Sequence, residues 1–167
     1  GALTVSAPGA VSLTSATNAF GAVTVSTAPS ALSLTNTRDI LQGNTWTLGN
    51  AAVTLDAGTN NITLDRSGNT FGVLSLTGKN ATVLESAATT LGATALSGNL
   101  TATSTGGISL GATTGVAGNA ALNAADLITQ ANGAKLTVGG DLSPTTTHTA
   151  GKLAIDNRGA ARNVPRG

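Results

Sequence analysis

Apolar and polar residues alternate with a period of two along most of the chain. Pairs of Val, Leu, Ile or Trp recur with one small polar residue between the two members. The pairs are Leu3/Val5, Val11/Leu13, Val23/Val25, Leu32/Leu34, Trp46/Leu48, Val53/Leu55, Ile62/Leu64, Leu74/Leu76 and Ile108/Leu110. This alternation predicts short β-strands with one face turned to a core. Gly, Asn, Asp, Ser and Pro fill the intervals, and these residues are typical of turns.

No segment carries a clear helical pattern. The Ala-rich stretch 117–133 comes nearest to one, and we interpret it as two strands of small residues. Short strands at steady intervals predict a sandwich, a propeller or a solenoid. Sandwich strands are usually longer and anchored by aromatic residues, and a propeller needs a repeat of about 40–50 residues. We therefore predict an all-β parallel solenoid of roughly seven or eight coils, each of about 20–23 residues.

One local phrase occurs twice, 51 residues apart. Asn18, Phe20, Gly21, Val23 and Val25 correspond to Asn69, Phe71, Gly72, Leu74 and Leu76. We interpret the phrase as one corner followed by one strand, in which Asn and Gly form the turn and Phe fills the interior. The offset predicts a whole number of coils, either two long ones or three short ones.

The composition suits a narrow, charge-poor solenoid. The chain has 167 residues, enough for one domain, and only 9% are charged and 2% aromatic. A net charge of +1 predicts no nucleic-acid partner, and the absence of cysteine excludes disulfides and thiolate metal sites. The uncharged stretch between Glu85 and Asp126 is interrupted by Gly, Thr, Ser and Asn, so no transmembrane helix is predicted.

The sequence contains no convincing catalytic or metal-binding group of residues. His148 is the only histidine; Asp141 or Asp156 would complete a triad with it, but we interpret it as a solvated loop residue. Asp56 and Asp65 each follow a strand and are interpreted as corner residues rather than as a glycosidase pair. We predict no enzyme activity, no cofactor and no catalytic, cofactor-binding or metal site.

Three further features have two interpretations each. Trp46 shares a strand face with Leu48, which favours a place in the core over a sugar-binding platform. Asn61, Asn80 and Asn99 open N-x-T sequences at equal intervals, which indicates turn residues repeated at the coil period; glycosylation is the alternative. The triplets "TNT", "TWT" and "TAT" are similar to ice-binding threonine arrays, but they are not regularly placed along the chain.

The repeated phrase, N-x-F-G-x-V-x-V followed by A-L-x-L, resembles the repeats of filamentous haemagglutinin-like adhesins. The stretch 97–125, "SGNLTATSTGGISLGATTGVAGNAALNAA", is similar to the same repeats, and the resemblance extends over about residues 2–142. It implies a right-handed parallel β-helix on the surface of a Gram-negative bacterium, exported by two-partner secretion. The secretion-domain motif N-P-N-G is absent, so an interior segment of such a protein, or a relative that is not secreted by this route, is expected.

These observations lead to one expected function and two alternatives. Residues 1–142 are expected to form the β-helix, and the divergent basic segment 143–167 a cap or tail with a strand at Leu153–Ile155. The expected function is structural: a rigid adhesin stalk in a long secreted or cell-surface fibre. The alternatives are an extracellular filament subunit that stacks end to end, and a carbohydrate-binding or carbohydrate-active β-helix. The expected partners are neighbouring coils of the same or identical chains and a host-cell or surface receptor or glycan.

Overall fold

The computed structural model describes residues 1–147 and 153–155, which form a parallel β-solenoid of about seven turns. The strands are β1 (Leu3–Ser6), β2 (Val11–Leu13), β3 (Ala22–Thr27), β4 (Ala31–Thr35), β5 (Ile40–Gln42), β6 (Ala52–Asp56), β7 (Ile62–Leu64), β8 (Val73–Gly78), β9 (Ala81–Glu85), β10 (Thr89–Leu96), β11 (Leu100–Ser104), β12 (Ile108–Leu110), β13 (Thr114–Val116), β14 (Ala120–Ala124), β15 (Ile128–Gln130), β16 (Leu136–Val138), β17 (Leu142–Thr146) and β18 (Leu153–Ala154). None of the described residues is helical, and the segment 117–133 holds β14 and β15 as predicted. The solenoid prediction is therefore confirmed.

The chain alternates between two parallel sheets. Sheet A has the order β1-β3-β5-β7-β9-β11-β14-β17, and sheet B contains the path β2-β4-β6-β8-β10-β12-β15-β18. Hydrogen-bonded residues at one corner of successive coils give the coil length. Asn61 and Asn80 are 19 residues apart, Asn99 and Asn119 are 20 apart, and Asn119 and Asp141 are 22 apart. The coils therefore run slightly shorter than predicted.

Inward-facing aliphatic side chains stack from coil to coil and form the core. Leu32, Val53, Leu74 and Leu91 occupy equivalent positions of β4, β6, β8 and β10, and all four are fully buried. Such columns repeat at the strand spacing of about 4.8 Å. Branched aliphatic residues fill the narrow interior, which explains why so few aromatic residues are present.

The two copies of the repeated phrase enter different sheets, so the prediction of a whole number of coils is wrong. Ala22, which begins β3 in sheet A, pairs with Leu41, and Leu41 pairs with Thr63 two turns after Ala22. Thr63 pairs in turn with Thr82, so the same position recurs there after three turns. Val73, the counterpart of Ala22 in the second copy, falls between the two and begins β8 in sheet B. The phrase thus encodes a corner that suits the entry to either sheet.

A third face begins at the end of β8 and continues through the second half of β10 into β13 and β16. The corner between sheet B and this face lengthens with each coil. One residue separates Leu74 from Leu76, and two separate their partners Leu91 and Thr94 in β10. In the next two coils the equivalent positions are Leu110 and Thr114, with three residues between them, and Gln130 and Leu136, with five. The cross-section of the solenoid therefore enlarges toward its C-terminal half.

The ladder continues past the expected boundary at residue 142. Ser143–Thr146 lie in β17 and pair in register with β14. Leu153–Ala154 form β18 and pair with β15, in agreement with the strand expected there. His148, Asp156 and most of the basic segment lie outside the described residues, so its role as a cap or tail stays a prediction.

Candidate functional site

The two candidate corner carboxylates lie on different sheets. Asp56 ends β6 in sheet B, and its Oδ1 accepts a hydrogen bond of 2.8 Å from the backbone N–H of Gly58. Gly58 has φ 57°, a conformation that glycine adopts at little cost, so Asp56 forms a turn as predicted. Asp65 is exposed after β7 in sheet A. Within the part of the chain that the structure describes, no cluster of three His, Asp or Glu side chains could hold a metal ion.

Trp46 belongs to the core, as predicted. Its side chain is fully buried, and Leu48 is buried beside it in sequence. The indole Nε1–H donates to the carbonyl oxygen of Val23 at 3.2 Å. Its backbone N–H donates to Asn69 Oδ1 at 2.9 Å. A sugar could not stack on a ring held in this way.

The three N-x-T asparagines form a ladder along the corner that precedes sheet A. Asn80 Nδ2 donates to Asn61 Oδ1 at 2.9 Å, and the backbone N–H of Asn99 donates to Asn80 Oδ1 at 2.8 Å. The ladder begins at Asp39, whose Oδ1 accepts the backbone N–H of Asn61, and it extends through Asn119 to Asp141 with bonds of 2.8 Å. The interpretation as turn residues repeated at the coil period is confirmed.

Threonine side chains form a regular column that the order of residues along the chain did not suggest. Thr63, Thr82 and Thr101 are direct partners on three successive strands of sheet A. The column ends at Ala121, which pairs with Thr101. These threonines recur once per coil, a regularity that the positions of the triplets "TNT", "TWT" and "TAT" do not reveal.

The repeated phrase forms the same hydrogen-bonded corner in both of its copies. Asn18 Nδ2 donates to the carbonyl oxygens of Leu13 at 2.8 Å and Thr35 at 3.2 Å. Asn69 Nδ2 donates to those of Leu64 at 3.4 Å and Leu84 at 3.1 Å. Each asparagine thus ties the strand before the corner to a strand of the next coil. We call these the Asn18 corner and the Asn69 corner.

Phenylalanine and glycine complete each corner. The backbone N–H of Phe20 donates to Asn36 Oδ1 at 2.7 Å, and that of Phe71 donates to Glu85 Oε1 at 2.8 Å. Phe71 is buried, whereas Phe20 is half-buried against the core. A Cβ atom on Gly72 would overlap the backbone carbonyl group of the preceding coil, so no larger residue fits after this phenylalanine.

The Asn69 corner contains buried polar residues that sequence analysis missed. Gln42 Nε2 donates to Asn69 Oδ1 at 2.8 Å, and Asn69 Nδ2 donates to Gln42 Oε1 at 3.0 Å. Glu85 is also buried, and desolvation raises the pKa of its carboxyl group. The alternation of β5 places Ile40 and Gln42 on the inward face, but a glutamine on such a face gives no signal of its partner 27 residues away.

Two shallow grooves lie on the outside of the C-terminal coils. The larger, about 580 Å³, follows the third face over Thr77, Ala95, Gly115 and Thr137, and residues 58–59 close one end. The smaller groove, about 270 Å³, lies at the C-terminal ends of β11, β14 and β17 in sheet A. Its polar lining is Thr103, Ser104, Thr105, Asn123, Thr145 and Thr147. Both grooves are lined by uncharged residues, which favours a neutral ligand over a charged one.

The stacked parallel coils and the corner ladder define a β-solenoid repeat protein. The chain belongs to the family DUF5649, described as repeats of unknown function, whose model matches residues 9–77 and 78–133. The join between the two matches falls at Gly78, where the third face begins. No curated protein and no solved structure matches the chain. The part of the chain that the structure describes contains no membrane-spanning helix.

Proposed function

We propose that this chain is a rigid structural segment of a long bacterial fibre, secreted or displayed on the cell surface as the stalk of an adhesin. The observation that carries the proposal is the ladder of eight consecutive parallel strands that the described residues form in sheet A. Seven steps of about 4.8 Å give this sheet a length of about 34 Å. A solenoid of this kind grows by adding coils, so its length serves to hold another part of a protein at a distance.

The location outside the cell rests on the resemblance to filamentous haemagglutinin-like repeats. The composition is compatible with it, because a coil that is held by stacked aliphatic side chains and an asparagine ladder needs no disulfide. The outer faces carry mostly Ser, Thr, Ala and Gly, which give no charged surface for a nucleic acid.

Removal of one whole coil tests the structural role. Residues 100–119 form one coil, because Ala120 pairs with Leu100. Deletion of 100–119 should give a folded chain that is shorter by one strand spacing, because Asn99 then leads into Ala120 and the ladder closes in register. Deletion of 100–109, half of this coil, should prevent the chain from folding cooperatively. The segments after the deletion would then be shifted by half a coil, so that strands of sheet A would lie against strands of sheet B.

The readouts are small-angle scattering for length and circular dichroism for folding. Antibodies against this chain should also label intact cells of the source organism before permeabilisation. Labelling only after permeabilisation would contradict the surface location. Loss of folding in the whole-coil deletion would contradict the modular stalk.

The smaller groove favours carbohydrate binding as a second candidate function. Threonine hydroxyl groups and the Asn123 amide, the polar groups that recognise neutral sugars, line it. Binding to an array of neutral glycans should be lost in Asn123→Ala and retained in Asn132→Ala, an exposed asparagine outside the groove. Equal binding by both variants would exclude this groove as the site.

End-to-end stacking above β17 is less favoured by the structure. Ala120, an inward residue of β14, donates its N–H to Asp141 in the next coil. Pro144 pairs with Leu122 and faces inward by the same alternation. Because proline has no N–H, a strand added beyond β17 would lack one of its backbone hydrogen bonds at this position. Proline at such a position is typical of a sheet edge.

A further inference from the structure

The Asn18 and Asn69 corners differ at the residue that receives the phenylalanine N–H. In the Asn18 corner this residue is Asn36, and in the Asn69 corner it is Glu85. Both residues are buried, at 2% and 0% exposed. The residues that follow are equivalent as well, because Thr37 and Ser86 each donate a backbone N–H to the corner asparagine's carbonyl oxygen at 2.8 and 2.9 Å. The two side chains therefore occupy the same structural position.

Asn36 uses both ends of its amide. Its Oδ1 accepts the Phe20 N–H, and its Nδ2 donates to the carbonyl oxygens of Phe20 at 3.1 Å and of Arg38 and Asp39 at 3.2 Å. The second end of the side chain in this position thus faces a group of acceptors. A glutamate oxygen at this second end can form a hydrogen bond with a carbonyl oxygen only if the carboxyl group is protonated.

Glu85 uses only one of its two oxygens. Oε1 accepts the Phe71 N–H, while Oε2 is buried without a hydrogen-bond partner. The hydroxyl of Thr89, which is buried at the start of β10, makes no hydrogen bond of ordinary geometry, and its interaction with the Glu85 carboxyl group lowers the pKa of that group. A carboxylate oxygen left buried and unpaired is costly, whereas a protonated one can donate to a nearby oxygen.

We infer that Glu85 is held as a neutral carboxylic acid whose Oε2–H replaces the Asn36 amide N–H, and that loss of this proton loosens the Asn69 corner. The stability of the Asn69 corner therefore depends on pH. Because each coil contacts mainly its neighbours, the loosening is confined to the coils around β7, β8 and β9.

The residues packed around Glu85 offer no charge that would hold a carboxylate. The amide protons of Asn69 are donated to Gln42, Leu64 and Leu84 and not to Glu85. The Ser104 hydroxyl on β11 donates to the carbonyl oxygens of Ala87 and Gly107. Thr89 on β10 is uncharged. Of the charged residues in this coil and the adjoining ones, Asp65, Arg66, Lys79 and Asp126 are exposed. Asp56 is half-buried and accepts the Gly58 N–H beside Thr77, at the opposite end of β8 from Phe71. Burial raises the pKa of Glu85 by more than the Phe71 N–H and the Thr89 hydroxyl lower it, which agrees with this environment.

The direction of the pH effect follows from the two states. The unfolded chain ionises near the ordinary value of 4.5, and the folded chain ionises at a higher pH because its pKa is raised. The stabilisation from the neutral acid is therefore complete below the unfolded value and is lost as the pH rises through the folded value. Between the two values this one group changes the folding equilibrium constant by up to about tenfold per pH unit.

The test compares wild type with two matched variants, Glu85→Gln and Asn36→Asp, by chemical denaturation from about pH 4 to about pH 9. Glu85→Gln keeps an acceptor and a donor, so it should remove the fall in stability and exceed wild type at the upper end. Asn36→Asp places an acid in the Asn18 corner and should add a fall of the same kind. In wild type, hydrogen exchange of the Phe71 amide should accelerate more with pH than that of the Phe20 amide.

Carboxyl-carbon NMR of wild type decides the outcome even if a variant does not fold. Titration of Glu85 above the ordinary glutamate range supports the inference. Titration at the ordinary value overturns it, and so does a Glu85→Gln profile that runs parallel to wild type.

Discussion

Replacing Phe71 with alanine should lower the free energy of unfolding by about 3–5 kcal/mol. The side chain is 4% exposed and lies where a corner of the solenoid meets the aliphatic core, so its removal leaves a cavity that stacked coils cannot close. Denaturant titration followed by circular dichroism measures the loss. Hydrogen exchange should show that protection falls mainly in the coils next to Phe71, because solenoid coils contact their neighbours.

Phe20→Ala is the matched control for this prediction. Phe20 holds the same place in the Asn18 corner, but it is half-buried and packs against the edge of the core. Its replacement should cost clearly less, because part of the side chain is already in water. Equal losses in the two variants would contradict the assignment of Phe71 as the interior residue of its corner.

Alternation of apolar residues was sufficient to predict the solenoid but not to locate all of its strands. β4, β6 and β8 present Leu or Val inward and were visible as pairs. β14 places Ala120 and Ala124 inward beside Leu122, and β13 places Thr114 inward beside Val116. Alanine and threonine occur on both faces of these coils, so an inward position leaves no mark in the sequence.

The coil period was obscured because corners differ in length. Steps that vary from 19 to 22 residues between equivalent corner positions blur any fixed period, and only the regular spacing of Asn61, Asn80 and Asn99 exposes it. The phrase repeated at Phe20 and Phe71 is the stronger signal, but it gave a wrong prediction of a whole number of coils between its two copies. Local sequence specifies a turn and not the sheet that follows the turn. Strand pairing, which is non-local, settles that question.

The buried polar residues lay beyond sequence reasoning for a related reason. Asn69 was recognised as a corner residue, but its partners Gln42 and Trp46 come from the preceding coil. Glu85 ends a strand in the same manner as Asp56, yet one is buried and the other is a turn-former at the surface. Function is equally hidden, because the grooves are lined by the same Thr, Ser, Ala and Gly that form every outer face.

Replacing Asn69 with alanine should destabilise the protein by about 3 kcal/mol or more. The change removes the acceptor of the buried Trp46 backbone N–H and of the buried Gln42 Nε2–H. It also leaves Gln42 Oε1 with only the 3.4 Å bond from the backbone N–H of Arg66. A buried polar group left without a partner costs about 1–3 kcal/mol, and two donors lose their acceptor together. Denaturation measures the loss, and Trp46 fluorescence, from the only tryptophan, should shift toward the emission of a solvated indole.

Asn18→Ala provides the matched comparison, and the difference between the two variants carries the argument. Asn18 is half-buried, and its amide donates to the carbonyl oxygens of Leu13 and Thr35, which water can reach more readily at this less buried corner. Its loss should therefore cost only about 1 kcal/mol. If Asn69→Ala were no more harmful than Asn18→Ala, the Gln42–Asn69 pair would not stabilise the fold. The stability of the Asn69 corner would then come from Phe71 packing and from the bond between the Phe71 N–H and Glu85.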